Sequence, residues 1–216
     1  MLLSSCNSQK SVPSDKEVAA AEDEIYEAVV RYMVTPVTGQ PRISQLVFDD
    51  GLRTELEPGV DVESCKKSTR KNLSLEIPPP VYNSPADKAY RFFTQSELDV
   101  ALHADTIRSF LERSCTPGAL SKTFYTDLPR KFVRAENVHF KGWPIQKDES
   151  KSFERLYPGA SGIISFSHAG FNSALDEAIV STGFVCGGLC GTGHRYILRK
   201  KSERWEVVNG LIIWVS

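Results

Sequence analysis

The stretch that most constrains this chain is Phe184-Val-Cys-Gly-Gly-Leu-Cys-Gly-Thr-Gly-His194, a glycine- and cysteine-rich segment set among short apolar runs. From Gly162 onward those runs are Ile163-Ile164 with Phe166, Ala178-Ile179-Val180, Tyr196-Ile197-Leu198, Trp205-Glu206-Val207 and Leu211-Ile212-Ile213-Trp214. Each is bounded by Gly, Asn, Asp, Ser or a Lys/Arg cluster and carries β-branched or aromatic residues, the pattern of strands. No gap between the later runs is long enough for a crossover helix, so they pair as antiparallel neighbours and predict a meander of four or five strands. Asn209-Gly210 reads either as a two-residue hairpin turn or as a bulge inside one long strand. Five of the 14 glycines fall between Gly183 and Gly193. They suit a tight hairpin in which glycine supplies positive φ, or a loop that lets a ligand approach the backbone. The spacing Gly188-x-x-Gly191-x-Gly193 is no phosphate fingerprint, because no helix follows to aim its N-terminus at an anion.

The N-terminal part reads as helical. Asp15 to Val34 carries Val18, Ile25, Val29 and Tyr32 on one stripe, with Glu22, Asp23, Glu24 and Arg31 on other faces. Ser14 with Glu17 three residues on forms a capping box, and Pro36 and Gly39 stop the helix. Ile43 to Phe48 predicts a strand ended by Asp49-Asp50-Gly51, and Ser96 to Ser114 predicts a second helix. Residues 57–85, with Pro78-Pro79-Pro80 and the basic cluster Lys66, Lys67, Arg70 and Lys71, are irregular, and the spacing over 119–140 leaves its structure open. The fold class is α+β, with N-terminal helices packed on a C-terminal antiparallel β-meander sheet. One domain spans 15–216, after a lipobox-like start and flexible tether over 1–14.

At 216 residues, 41% hydrophobic and net charge -1, the chain is long enough to build a core without a metal. Near-neutrality argues against a nucleic-acid partner, since phosphate binding needs a dense basic patch. Leu3-Ser4-Ser5-Cys6 is a lipobox-like sequence followed by a polar tether, which makes Cys6 the candidate lipidation site and the membrane surface the expected partner. A signal peptide would also need a basic and an apolar region upstream of Met1-Leu2-Leu3. On this reading the protein belongs to the bacterial cell envelope, at the outer membrane or facing the periplasm; with Cys6 as an ordinary tail cysteine it would be cytoplasmic.

Setting Cys6 aside leaves Cys65, Cys115, Cys186 and Cys190. A three-residue loop of Gly187-Gly188-Leu189 would place Cys186 opposite Cys190, within disulfide range, and leave Cys65 to pair with Cys115. Thiolate and imidazole also suit zinc, so Cys186, Cys190 and His194 form an alternative metal site, with His168 or Asp176 as a fourth ligand. A Cys/His nucleophile pair with His168 or His194 activating Cys190 is a further option, though nothing flanking the cysteines matches a nucleophile signature. Ser167 and His168 point to opposite faces of a strand, which speaks against a Ser/His triad there. Asp176 and Glu177 read as turn and strand-entry residues. Trp143, Trp205 and Trp214 read as core or sheet aromatics, or as an exposed cluster for sugars or peptides.

Tyr157-Pro158, Ser161-Gly162, Ser167, Gly170-Phe171-Asn172, Cys186-Gly187, Leu189-Cys190-Gly191-x-Gly193, Trp205 and Trp214-Val215-Ser216 together resemble a family of uncharacterised bacterial proteins, many of them secreted or lipoprotein-like. The resemblance covers about 60 residues and implies an envelope-associated protein with no assigned activity. A looser likeness is to NTF2-like α+β domains, in which helices pack on a curved sheet; such folds host enzymes and binding modules alike. The expected function is a non-catalytic envelope binding or structural module needing no cofactor. The alternative is a hydrolase or metal-dependent enzyme centred on the Cys186/Cys190/His194 hairpin.

Overall fold

The computed structural model of the chain describes residues 13–35, 45–52, 61–65, 102–138, 153–187 and 190–215. Cys6 and the tether up to residue 12, Trp143 and most of the irregular 57–85 stretch lie outside the described residues.

Helix α1 spans Asp15–Val34 as the periodicity predicts, and its start is the predicted capping box: Ser14 Oγ accepts from Glu17 N, and Glu17 answers by accepting from Ser14 N. The stripe it buries is Ala21, Glu22, Ile25, Tyr26, Val29 and Val30, so Glu22 lies on the apolar face and Tyr32 is exposed, the reverse of the sequence reading. Strands β1 (Leu46–Asp49) and β2 (Gly51–Leu52) follow, hinged where Asp49 Oδ1 accepts from Gly51 N. A single helical turn, α2, covers 62–65. Helix α3 is Ala104–Arg113, inside the predicted span, whose residues 96–101 lie outside the described residues. Then come β3 (Gly118–Ala119), β4 (Arg130–Val133), a 3-10 turn (Ala135–Asn137) and the one-turn helix α4 (Phe153–Leu156).

The C-terminal region is the predicted meander with more regular strands than its apolar runs suggest: β5 (Ile163–Phe166), β6 (Gly170–Phe171), β7 (Glu177–Gly187), β8 (Cys190–Lys201) and β9 (Arg204–Val215). Asn209 and Gly210 pair with Ile197 and Tyr196 inside β9, which resolves the ambiguity in favour of one long strand; register shifts mark bulges near Val208 and Ile213. The turn between β8 and β9 holds Ser202 and Glu203, both at positive φ, the backbone of a two-residue primed hairpin turn.

Seven of the nine strands form one sheet in the order β4-β1-β5-β7-β8-β9, with β6 pairing β7, and β2 pairs with β3 as a separate antiparallel ribbon. The large sheet is mixed rather than wholly antiparallel, because β1 runs parallel to both β4 and β5. Strands contributed by distant parts of the chain are joined by long connections, and only those permit parallel neighbours. All four residues of β1 are buried, as a strand covered on both faces requires.

Successive residues of a strand face opposite ways, and the two faces have separate cores. Phe48, Ile164, Phe166, Ala178, Val180, Tyr196, Leu198 and Trp205 pack under α1, joined by Leu120 and Phe124 from the stretch the sequence left open. On the other face Ile179 and Ile197 meet Phe110 and Leu111 of α3, while Val47 and Ile163 meet Val138 and Phe153. The two disulfides are Cys65–Cys115 and Cys186–Cys190. The first is buried and ties α2 to the end of α3.

Gly188 of the hairpin loop lies outside the described residues; among the described glycines only Gly159 has positive φ, and Gly183 and Gly193 have a different role. Ser165, Gly183, Gly193 and Trp214 form one row across four strands. The Trp214 indole lies along that row, so close that a Cβ on Gly193 would sit 1.9 Å from its Nε1. A Cβ on Gly183 would lie 3.5 Å from its Cζ2. Two side-chain-free residues make a trough in the sheet surface, and the tryptophan fills it.

Candidate functional site

The chemistry-bearing residues fall into three separate groups. The first joins α1, α3 and the β5–β6 connection. Glu22 Oε1 accepts from the Ala169 backbone N–H at 2.7 Å, Arg113 Nη2 at 2.9 Å and His168 Nδ1 at 3.0 Å. An ionised carboxylate can only accept, so the third contact assigns the Nδ1 proton of His168. Arg113 also donates from Nε to the Ala169 carbonyl at 2.6 Å. Burial by itself would raise the Glu22 carboxyl, but the His168 hydrogen bond and the Arg113 and His168 charges outweigh it and hold it below the usual glutamate range. Beside it Tyr26 donates to the Ser167 carbonyl, and burial with the Glu22 charge pushes its hydroxyl well above the usual tyrosine value.

The carboxylate-bound Nδ1 leaves Nε2 as the histidine's other reactive atom. It packs against Gly118 of the β2–β3 ribbon, where an added Cβ would come within 2.5 Å of it. Sequence reasoning singled out His168 but missed Glu22 and Arg113. The available signal was Glu22's place at i with Ile25, Tyr26 and Val29 at i+3, i+4 and i+7, a carboxylate on an apolar stripe. Ser167, as expected, makes no triad with His168: its hydroxyl accepts from Ser181 N and donates to the His168 carbonyl.

The second group is centred on Glu177, which is buried at the start of β7. Its Oε1 accepts from His103 N and from Thr106 Oγ1, both at 2.8 Å, and its Oε2 faces Arg199 at 3.2 Å. His103 is the N-cap of α3 and has no side-chain cap of its own. The carboxylate of a distant strand thus serves as the missing cap and places a negative charge at the helix's positive end. Neighbouring Asp176 belongs to the turn, its Oδ1 accepting from Asn172 Nδ2.

The third group is the β7–β8 hairpin. Cys186 and Cys190 are bridged with a Cα separation of 5.1 Å, but not as directly opposed residues. Cys190 pairs with Gly187 and Gly191 with Val185, so Cys186 sits in a bulge and the predicted three-residue loop is shorter. Bridged sulfurs are not thiolates, the form in which cysteine binds zinc or attacks a carbonyl. His194 pairs with Thr182 and stacks on Tyr196 at 5.6 Å between ring centroids. Burial lowers its pKa, and it raises the Tyr196 hydroxyl to about 12. Among the described residues no group of three His, Cys, Asp or Glu side chains is arranged to hold a metal ion. His168 is held by Glu22, and His194 by the Tyr196 stack, so the two histidines belong to different sites.

Outside these groups, β9 exposes Val208, Ile212, Trp214 and Val215, while Tyr32, Tyr125 and Leu156 are exposed elsewhere. Trp205, at the other end of the same strand, is buried and donates from Nε1 to Glu24. No protein-family model, no curated protein and no solved structure matches the chain. The two disulfides point to an oxidising, non-cytoplasmic compartment, and among the described residues no helix is long and apolar enough to cross a membrane.

Proposed function

We propose that the protein is a bacterial cell-envelope module, tethered to the membrane surface by lipid at Cys6, that acts by binding or by structural association rather than by catalysis. The observation that carries this reading is the contrast between its polar clusters and its apolar surface. Glu22, Arg113, His168 and Glu177 are engaged in joining α1 and α3 to the sheet. From Val207 onward the exposed side chains of β9, Val208, Ile212, Trp214 and Val215, are apolar, and they lie beside a hairpin fixed by its own disulfide. Exposed apolar side chains gathered on one strand in this way support an interaction site there.

The test is to express the gene in a bacterial host with its upstream sequence, fractionate the cells and measure the intact mass of the isolated protein. The expected result is a membrane fraction carrying an acyl mass on Cys6 and two disulfides. Recovery from the cytoplasm with unmodified Cys6 and four free thiols would overturn the proposal, and would return attention to Cys186, Cys190 and His194 as metal ligands.

A further inference from the structure

We infer that the Cys186–Cys190 disulfide is a redox-sensitive closure of the β7–β8 hairpin, which a dithiol opens while Cys65–Cys115 stays bridged and the fold persists. The reactivity stands apart from the association reading above; what it regulates rests on that reading.

Thiol–disulfide exchange needs a line of approach to a sulfur atom, and the two bridges differ in that respect. Cys65 and Cys115 are 3% and 2% exposed, so a reductant reaches them only when α2 parts from the end of α3. Cys190 is exposed and Cys186 is half-buried. Cys190 Sγ is therefore the atom attacked. One thiolate of the dithiol bonds to it, the S–S bond breaks, and its electron pair leaves with Cys186 Sγ, which takes up a proton. The second thiol of the dithiol then attacks its partner sulfur in the mixed disulfide. That releases Cys190 as a thiolate, which takes up the second proton. The dithiol departs as a cyclic disulfide, having given the bridge two electrons.

The reduced hairpin has a defined place to go. Cys186 Sγ lies 3.2 Å from the Cys190 carbonyl oxygen, so the freed thiol finds an acceptor at hand. The β7–β8 pairs from Glu177 with Arg199 to Val185 with Gly191 come before the bulge at Cys186, and only Gly187 with Cys190 lies beyond it. Opening a bridge that closes a span of four returns little chain entropy, while the span of 50 remains closed. Reduction therefore loosens the hairpin tip and leaves the sheet intact. The tip adjoins the end of β9, where Thr192 pairs with Val215 and Gly193 with Trp214. Both β9 partners are exposed apolar residues, so the bridge bears on the order of the surface through which association is proposed.

The experiment treats the oxidised full chain with dithiothreitol in the absence of denaturant, traps thiols by alkylation at intervals and maps them by mass. Cys186 and Cys190 should be alkylated about tenfold faster or more than Cys65 and Cys115, which wait on local opening. Removing the reductant should close the bridge again. With only the hairpin reduced, amide exchange should speed up at Gly187 and from Cys190 to Thr192, and the Trp214 indole N–H resonance should shift, while circular dichroism stays unchanged. The double variant Cys186→Ser, Cys190→Ser should show the same changes with no reductant present. Two bridges that open together, or neither opening short of unfolding, overturns the inference, as does a reduced hairpin with unchanged amide exchange. A hairpin that opens and frays while Trp214 does not respond overturns the link to β9 and leaves the reactive bridge standing. A cytoplasmic location would defeat the association reading independently of these outcomes.

Discussion

At the scale of single residues, the two features that matter most are a missing side chain and a buried charge. Gly193 and Gly183 are absent side chains that make room for Trp214. Gly193→Ala should expel the indole from its trough and cost about 1–3 kcal/mol, the usual range for overpacking. Gly183→Ala should cost less, because its Cβ would press on the Ser165 hydroxyl at 2.9 Å but only touch the ring. Chemical denaturation checks the order, and the Trp214 indole N–H resonance should move in the first variant far more than in the second. Glu22 makes a pH prediction. Its pKa is lower in the folded chain than in the unfolded one, so the unfolded state binds the proton more readily. The stabilisation is full above the unfolded value of about 4.3 and is lost as pH falls through the folded value. Glu22→Gln should cost about 2 kcal/mol at neutral pH and flatten the acid limb of the stability curve, as thermal melts from neutral to strongly acidic pH would show.

At the scale of elements, helix α3 is defined from outside itself. It begins at Ala104, where Glu177 accepts from the His103 N–H across 74 residues of sequence. Glu177→Ala would leave the His103 N–H and the Thr106 hydroxyl unpaired and Arg199 without its carboxylate. We expect a loss of about 2–4 kcal/mol. Hydrogen exchange should locate the damage in the first turn of α3 and the start of β7, with α1 unaffected. The capping box of α1 is the contrasting case, since Ser14 and Glu17 lie three residues apart and the helix start is legible in the sequence.

At the scale of the whole molecule, the two disulfides have unequal tasks. Cys65–Cys115 closes a span of 50 residues and is buried, whereas Cys186–Cys190 closes a span of four. Chain entropy assigns about 4 kcal/mol to the first and about 2 kcal/mol to the second. Replacing Cys65 and Cys115 together with alanine should therefore lower stability roughly twice as much as replacing Cys186 and Cys190. Denaturant titration of the two double variants measures the ratio. The shorter bridge fixes the hairpin between β7 and β8.

The sequence by itself determined what depends on near neighbours. The period of α1, its capping box, the succession of C-terminal strands and the Cys186–Cys190 pairing rest on spacing that the local backbone enforces, and Cys65–Cys115 followed by elimination. The α+β class followed from the order of those elements. Tertiary structure decided what depends on residues far apart. The parallel placement of β1 between β4 and β5 needs long connections that carry no local signal, so a wholly antiparallel sheet was the reading. The three donors on Glu22 come from α3 and from the β5–β6 connection, brought together only when both sheet faces are covered. The glycines of the hairpin were legible as special but not as the seat of Trp214, because that contact crosses strands whose register only folding sets.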